Sequence, residues 1–556
     1  MTVADFFCGA GGFSEGFRQK GYKVVFSLDN WRPAKVTHDL NHPECECVLM
    51  DILELDTPKK IDEVVPDTDV IIGSPPCVSF SGSNKAGKAD KTLGVKLIEA
   101  YLGVVAWKMK KGVCKHWILE NVPNSGNYIK DSYTWDDLGL PGGQETAIDV
   151  PTRAVLNAAD YGAPQTRKRF VCGNYPMPEP THEEGSTWVT MRYVKKCLTN
   201  PLDQGQSGKV TDPVYGFSIK KENLTDHFYD SRVSKHEWER AKRLKEDHGF
   251  MGKMSFPEDL DRPSRTVMAT MSASTRESML FGTRDGEYRL PTIREIASFM
   301  SFPLTYQFEG SNEATKYKLI GNAVCCKLSA ALADSIARQE GKDVPEFIPL
   351  KNRRPSVDLT GMKRVPKKPK PRRYDAKFAR HIPYIKVKSF RVELSNKDSD
   401  FSSNDIIWKS KIHYGSGKNA QHSEIDRHRL ENMLSGHPGF ESFKKLIESD
   451  FSDVKMSPKE FHESFVLNGS SHHPLSPDKA LEMIRDYMHS SHDVEDAMQK
   501  FITNEKLSSI KRQEIPYLIL AGAWACQYLV DIIHNDETSG SQQLLSDIEH
   551  SARSRT

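Results

Sequence analysis

The run Val70-Ile71-Ile72-Gly73-Ser74-Pro75-Pro76-Cys77 decides how the rest of the chain is read. Three β-branched apolar residues read as a buried strand, and Gly-Ser-Pro-Pro as the tight turn that ends it. Two prolines before the cysteine stiffen the backbone and fix where the sulfur points. The polar, glycine-bearing loop from Val78 to about Gly94 can fold over whatever that sulfur attacks. The stretch predicts a nucleophilic cysteine at a strand end of a nucleotide-binding α/β scaffold. The rest of the chain then has to supply a cofactor, an acid and a substrate grip.

Upstream, Val3 to Phe7 reads as a strand, Cys8-Gly9-Ala10-Gly11-Gly12-Phe13 as a glycine turn and Ser14 to Gln19 as a helix. Glycines let backbone approach a ligand and let the helix N-terminus face it. A second strand, Lys23 to Leu28, ends in Asp29, where doubly wound folds grip ribose hydroxyls. Val48-Leu49-Met50 leads into Asp51 and Ile52. Either acid taken alone also fits a helix cap or a solvated turn; three strand ends in order, each with a ligand group, favour a site.

Downstream, Leu97 to Lys110 reads as a helix with Ile98, Tyr101, Leu102, Val105 and Met109 on one face, followed by a strand, Trp117-Ile118-Leu119, that ends in Glu120. That places Glu120 on the sheet edge that carries Cys77, as an acid. Arg167 and Arg169 enter the strand Phe170-Val171-Cys172 at alternate positions and so share a face. They read either as solvated charges or as a grip for an anion or for the acid. From Tyr175 to Asp261 the chain is polar and punctuated by proline, with one charged helical stretch, Lys235 to Glu246; this reads as an irregular insert. Tyr317 opens a long amphipathic helix that runs to about Arg338.

A length of 556 residues implies about two to four domains. A net charge of +2 excludes a global electrostatic field for nucleic acid while leaving room for a local basic face. The ten cysteines show no CxxC spacing, which indicates free thiols in a reducing compartment and no metal site. The N-terminus enters a strand at once, without a targeting segment, and the apolar run Ile515 to Cys526 reads as a buried helix rather than a membrane span.

These motifs, in this order, resemble the DNA cytosine-5 methyltransferases over about Val3 to Ala337. The glycine turn from Asp5 to Phe13 is similar to the family's S-adenosyl-L-methionine loop, and Gly73 to Cys77 with Phe80-Ser81 to its nucleophile motif. Glu120-Asn121-Val122 is similar to the acid motif, and Gln165, Arg167 and Arg169 to the QxRxR motif. Arg262-Pro263-Ser264-x-Thr266 and Gly321-Asn322-Ala323-Val324 resemble the last two motifs. Val78 departs from the pattern, since the family usually has glutamine there.

The resemblance implies a Rossmann-like, S-adenosylmethionine-dependent methyltransferase domain with an inserted target-recognition domain. Cys77 would add to C6 of an extruded cytosine in double-stranded DNA, with Glu120 protonated against N3. Arg167 and Arg169 would hold the base carbonyl and brace the site. Phe7, Gly9, Gly11, Gly12, Asp29, Asp51, Ile52 and Asn322 would hold the cofactor. An RNA substrate, or a non-catalytic DNA-binding protein on the same fold, are the alternatives. The expected partners are double-stranded DNA and a cognate restriction endonuclease, with no membrane, for a monomer in a bacterial cytoplasm associated with the nucleoid.

Expected boundaries are a catalytic domain at 1–174 and 286–345, a recognition domain at 175–285, a basic linker at 346–381 and a C-terminal α+β domain at 382–556. The linker is rich in Lys, Arg and Pro and reads either as a strand of charge along phosphates or as a solvated tether. The last domain shows no nuclease or metal constellation, and His472-His473 reads as a loop pair.

Overall fold

The computed structural model describes residues 1–76, 91–203, 207–246, 254–367, 371–415, 420–437, 439–467, 475–489, 502–503, 510 and 515–534. Cys77, Val78 to Asp90, His472-His473 and most of the helix expected at 494–503 lie outside the described residues. The chain divides into two compact units. The first comprises 1–233, 257–273 and 277–366; the second takes 234–256, 274–276 and the described residues from 367 onward. The charged helix Lys235–Glu246 therefore groups with the second unit, and residues 346–366 group with the first.

The first unit is built on a seven-stranded sheet. In chain order its strands are β1 (Thr2–Phe6), β2 (Lys23–Asp29), β3 (Glu46–Leu49), β4 (Val70–Gly73), β5 (His116–Asn121), β6 (Thr152–Asn157) and β7 (Lys168–Asn174). The spatial order is β3-β2-β1-β4-β5-β7-β6. The first five are parallel, and β7 is wedged antiparallel between β5 and β6. Alternation inside β4 shows why its residues are apolar on both faces. Val70 and Ile72 join a core with Phe13 and Phe17 of helix α1 (Gly12–Gln19) and with Leu328, Leu332 and Ile336. Ile71, between them, joins the opposite core with Ile98, Tyr101 and Leu102. Sheets covered on both faces bury every strand position. The order reverses at β1, which has β2 on one side and β4 on the other, and such a switch point opens a crevice at the carboxyl ends.

Three elements differ from the sequence reading. The helix expected from about Leu97 covers Lys91–Lys110 among the described residues. The helix expected from Tyr317 to Arg338 is two helices, Glu313–Asn322 and Cys326–Gln339. The break is set from outside: Arg167 takes the carbonyls of Gly321 and Ala323, and a Cβ on Gly12 would lie 2.1 Å from the Val324 carbonyl oxygen. Finally, residues 353–364 do not form a solvated tether. Leu359 gives its N–H to Asp226 at 3.0 Å, Gly361 to the Phe228 carbonyl at 2.8 Å and Arg364 to the Asp230 carbonyl at 2.9 Å. Asp226 is fully buried and also holds Lys316 Nζ at 2.8 Å, so the backbone that covers this ion pair cannot float.

The second unit is α+β. A four-stranded antiparallel sheet (Ala379–His381, Phe390–Ser395, Lys409–Tyr414, Gln421–Ser423) packs with helices including Phe440–Phe451, Pro458–Val466 and Pro477–His489. Helix Pro458–Val466 escaped the sequence reading although its signal was present: Ser457 and Glu460 form a capping box, with proline at the first helical position. The helix 517–534 is long and apolar enough to cross a membrane by composition, yet 67% of its most apolar window is buried inside the protein.

Candidate active site

The part of the crevice expected to take the cofactor starts where β1 ends. Phe7, Gly9 and Gly11 all have left-handed backbone, with φ of 56°, 53° and 83°. The turn closes with the Gly11 N–H on the Cys8 carbonyl at 2.8 Å, and Gly9 gives its N–H to Asp29 at 2.9 Å. Asp29 also accepts from the Trp31 N–H at 2.8 Å, and among the described residues no cation pairs with it. Burial pushes its carboxyl pKa up, against the pull of those N–H groups. The next strand is tied in by the Met50 N–H on the Asp29 carbonyl at 3.1 Å.

Asp51 follows and is already employed as a cap: its side chain accepts from the Leu53 N–H while Glu54 reaches back to the Asp51 N–H. Ile52 is buried beside it, and Asn322, at the end of its helix, is exposed. The donor set fits an adenosyl cofactor. A Cβ on Gly9 would meet nothing nearer than the Phe7 carbonyl oxygen at 3.9 Å, so the turn faces open space. A carboxylate held only by backbone N–H groups keeps lone pairs for hydroxyls.

On the side expected to carry the nucleophile, the described stretch Gly73–Pro75 is locked from three directions. Gly73 lies so close to the Tyr101 ring that a Cβ would fall 2.5 Å from it. Tyr101 in turn donates to the carbonyls of Ile118 at 2.8 Å and Ile71 at 3.1 Å. Ser74 gives its N–H to the Phe6 carbonyl at 3.1 Å and its hydroxyl to that of Phe7 at 3.3 Å. Asn121 donates from Nδ2 to the Pro75 carbonyl at 2.9 Å. Asn121 was quoted from the sequence only as part of a motif; its neighbourhood to Glu120 at a strand end was the available signal.

Glu120 is 6% exposed, and β5 sets it one residue beyond the Gly73–Leu119 pairing with β4. Arg169 Nε lies 2.9 Å from Glu120 Oε1 as an ion pair, although its N–H is not aligned on that oxygen. Burial raises the Glu120 pKa, and the charges of Arg169 and Arg167 oppose the rise. The two arginines are not solvated charges, being 9% and 3% exposed. They also divide the work. Arg169 meets the acid, whereas Arg167 donates to the carbonyls of Val267, Gly321 and Ala323, each at 3.0 Å. Gln165 accepts the Val267 N–H at 3.2 Å, and Thr166 and Ser264 pair backbone to backbone. The segment from Gln165 to Arg169 thus staples residues 264–267 and the helix break at 321–323 to the sheet. Among the described residues, no group of three or more His, Cys, Asp or Glu is arranged to hold a metal ion.

A family model described as C-5 cytosine-specific DNA methylase matches residues 1–338. The chain is 26% identical over 440 residues to the type II methyltransferase M.AgeI of Thalassovita gelatinovora, covering 60% of this chain and 99% of the relative. It is 27% identical over 384 residues to the type II methyltransferase M.DdeI of Desulfomicrobium norvegicum, covering 61% and 88%. The solved structure of the S. pombe Dnmt2 methyltransferase aligns with a TM-score of 0.40 at 15% identity, covering 61% of this chain and 99% of that one.

Proposed function

The chain belongs to the C-5 cytosine-specific DNA methylase family, and on that premise we propose that it methylates an extruded cytosine in a specific double-stranded sequence through a covalent bond from Cys77 to C6. S-adenosylmethionine, when bound, supplies the methyl group as an electrophilic carbon on a sulfonium. Phe7, Gly9, Gly11, Gly12, Asp29, Asp51, Ile52 and Asn322 would hold it. Cytosine C5 is a weak nucleophile. Addition of the Cys77 thiolate across C5–C6 pushes an electron pair onto C5 and negative charge toward N3. A protonated Glu120 gives its proton to N3 and so neutralises that charge. Once C5 is methylated, loss of its proton to water re-forms the C5–C6 double bond and expels the thiolate, and the N3 proton returns to Glu120. Extrusion of the base costs a few kcal/mol, offset by contacts in the pocket.

The observation that carries this reading is the buried Glu120 carboxyl beside Arg169, one strand from the turn that Asn121 and Tyr101 lock. A guanidinium beside a carboxylate favours the ionised form and so holds back the rise that burial causes. An entering base whose carbonyl draws Arg169 away lets burial dominate, and Glu120 takes up its proton. Because the relatives are type II methyltransferases, we place the enzyme in a restriction-modification system, with a cognate endonuclease as partner. Transfer of tritiated methyl to duplex DNA, with RNA as the competing substrate, tests the reading. Label in DNA only is expected, and label in RNA only would overturn it.

A further inference from the structure

Resting on the reading of loop Phe7–Gly12 as the S-adenosylmethionine cradle, we propose that Tyr306 is a positioning residue for that loop. With His42 and His38 behind it, it sets cofactor affinity by holding the Ala10 carbonyl.

Three left-handed residues in five make a loop conformation that its own sequence does not hold. Asp29 fixes one side through Gly9. Tyr306, 296 residues later in the chain and fully buried, fixes the other, with its hydroxyl 2.5 Å from the Ala10 carbonyl oxygen. A carbonyl can only accept, so the single phenol proton goes to Ala10. That orients the Ala10–Gly11 peptide, whose N–H closes the turn on Cys8. The fit leaves no slack: a Cβ on Gly11 would fall 2.4 Å from the Tyr306 hydroxyl, 3.1 Å from His38 and 3.2 Å from His42.

The histidines extend the same device. With its proton spent on Ala10, the Tyr306 oxygen receives the Nε2–H of His42 at 3.3 Å. His38 lies against His42 with ring centroids 4.6 Å apart and planes tilted by 35°, and its Nε2 lies 3.0 Å from Ser14 Oγ. Ser14 sits in the first turn of α1 and is bonded to Asp5 Oδ2 at 2.6 Å, so both ends of the glycine turn are reached. The segment that carries Tyr306 is itself zipped to the helix that carries His38 and is capped by His42. Asn41 gives Nδ2 to the Gln307 carbonyl at 2.7 Å and accepts the Gln307 N–H at 2.9 Å. None of these groups has a place in the chemistry at Cys77 or Glu120.

Titration of the full chain with S-adenosylhomocysteine, without DNA, alongside thermal melting, tests the inference. Tyr306→Phe keeps the ring and removes one hydroxyl, and about tenfold weaker binding is expected; His42→Phe, which removes the donor behind it, is expected to weaken binding about threefold. Tyr175→Phe removes another buried hydroxyl of the same unit, one bonded to the Val171 carbonyl at 3.2 Å, and is expected to leave the affinity unchanged. If Tyr306→Phe does not fold, His42→Phe decides. Wild-type affinity in both variants, whatever their melting temperatures, overturns the inference, as does equal weakening by Tyr175→Phe. Failure of the wild-type chain to bind at all overturns the reading of the loop itself, and the inference with it.

Discussion

The sheet edge carries two carboxylates that look alike in the sequence and are held in opposite ways. Asp29, the last residue of β2, is bonded by backbone N–H groups of Gly9 and Trp31. Glu120, at the end of β5, faces the side chain of Arg169. Burial raises the pKa of both. Backbone donors are part of the fold and cannot leave, so Asp29 keeps one geometry, which suits the role we propose for it, accepting hydroxyls. A guanidinium on a side chain can be drawn off, so the protonation of Glu120 can follow what enters the site. On the proposed function, one end of the crevice serves binding and the other a change of charge.

Substitutions can break this contrast. The largest effect is expected from Glu120→Gln, which keeps the shape and removes the proton donor. The methylation rate should fall about 10²–10⁴-fold, the usual worth of a positioned acid, with S-adenosylhomocysteine affinity unchanged in a binding titration. With the wild-type acid, the rate should decline as pH rises through the raised Glu120 pKa, since only the protonated form donates. Arg169→Met should move that decline to higher pH, because the opposing charge is gone.

Asp5 offers the next test, on stability. It is fully buried behind the cofactor loop, and burial pushes its carboxyl up to about 7 from 3.8. Between about pH 4 and about pH 7 the unfolded chain ionises this group while the folded chain keeps the proton, so folding loses stability as pH rises. The full loss, on the order of 4 kcal/mol, is reached above the folded pKa. Asp5→Asn should therefore gain on the wild type across that window in denaturant melts; a pH-independent difference between the two would count against the assignment.

Asp29→Asn comes third, with cofactor affinity expected to fall about 10–100-fold and the rate at saturating cofactor little changed. The smallest effect belongs to Asp51→Ala. That side chain is a half-buried cap at the rim of the proposed cofactor site, so about 1 kcal/mol of stability is expected to go, with a smaller loss of cofactor affinity than Asp29→Asn gives. A loss of cofactor affinity as large as that of Asp29→Asn would show that Asp51 is a full ligand.

Much of this was legible in the sequence because it is local. The strands before Phe7, Asp29, Ser74 and Glu120 announce themselves by apolar runs, and the glycines by their spacing. What was illegible is whatever a distant segment decides. Nothing near Phe170 says that β7 slots antiparallel between β5 and β6. Nothing between Tyr317 and Arg338 says that an arginine 154 residues earlier will break the helix by taking its carbonyls. Tyr306 read as one aromatic among several, and its bond to Ala10 exists only in the folded chain. The two arginines shared a motif and a strand; only their partners separate the brace, Arg167, from the acid's companion, Arg169.

The central claim is that the turn locked by Asn121 and Tyr101 presents a nucleophile to cytosine. Duplex DNA with 5-fluorocytosine at the target position, incubated with S-adenosylmethionine, measures it directly, because fluorine blocks the loss that frees the sulfur. The account predicts a denaturation-resistant protein–DNA adduct with the wild-type chain and none with Cys77→Ser. No adduct with the wild type, or one that survives Cys77→Ser, would contradict it.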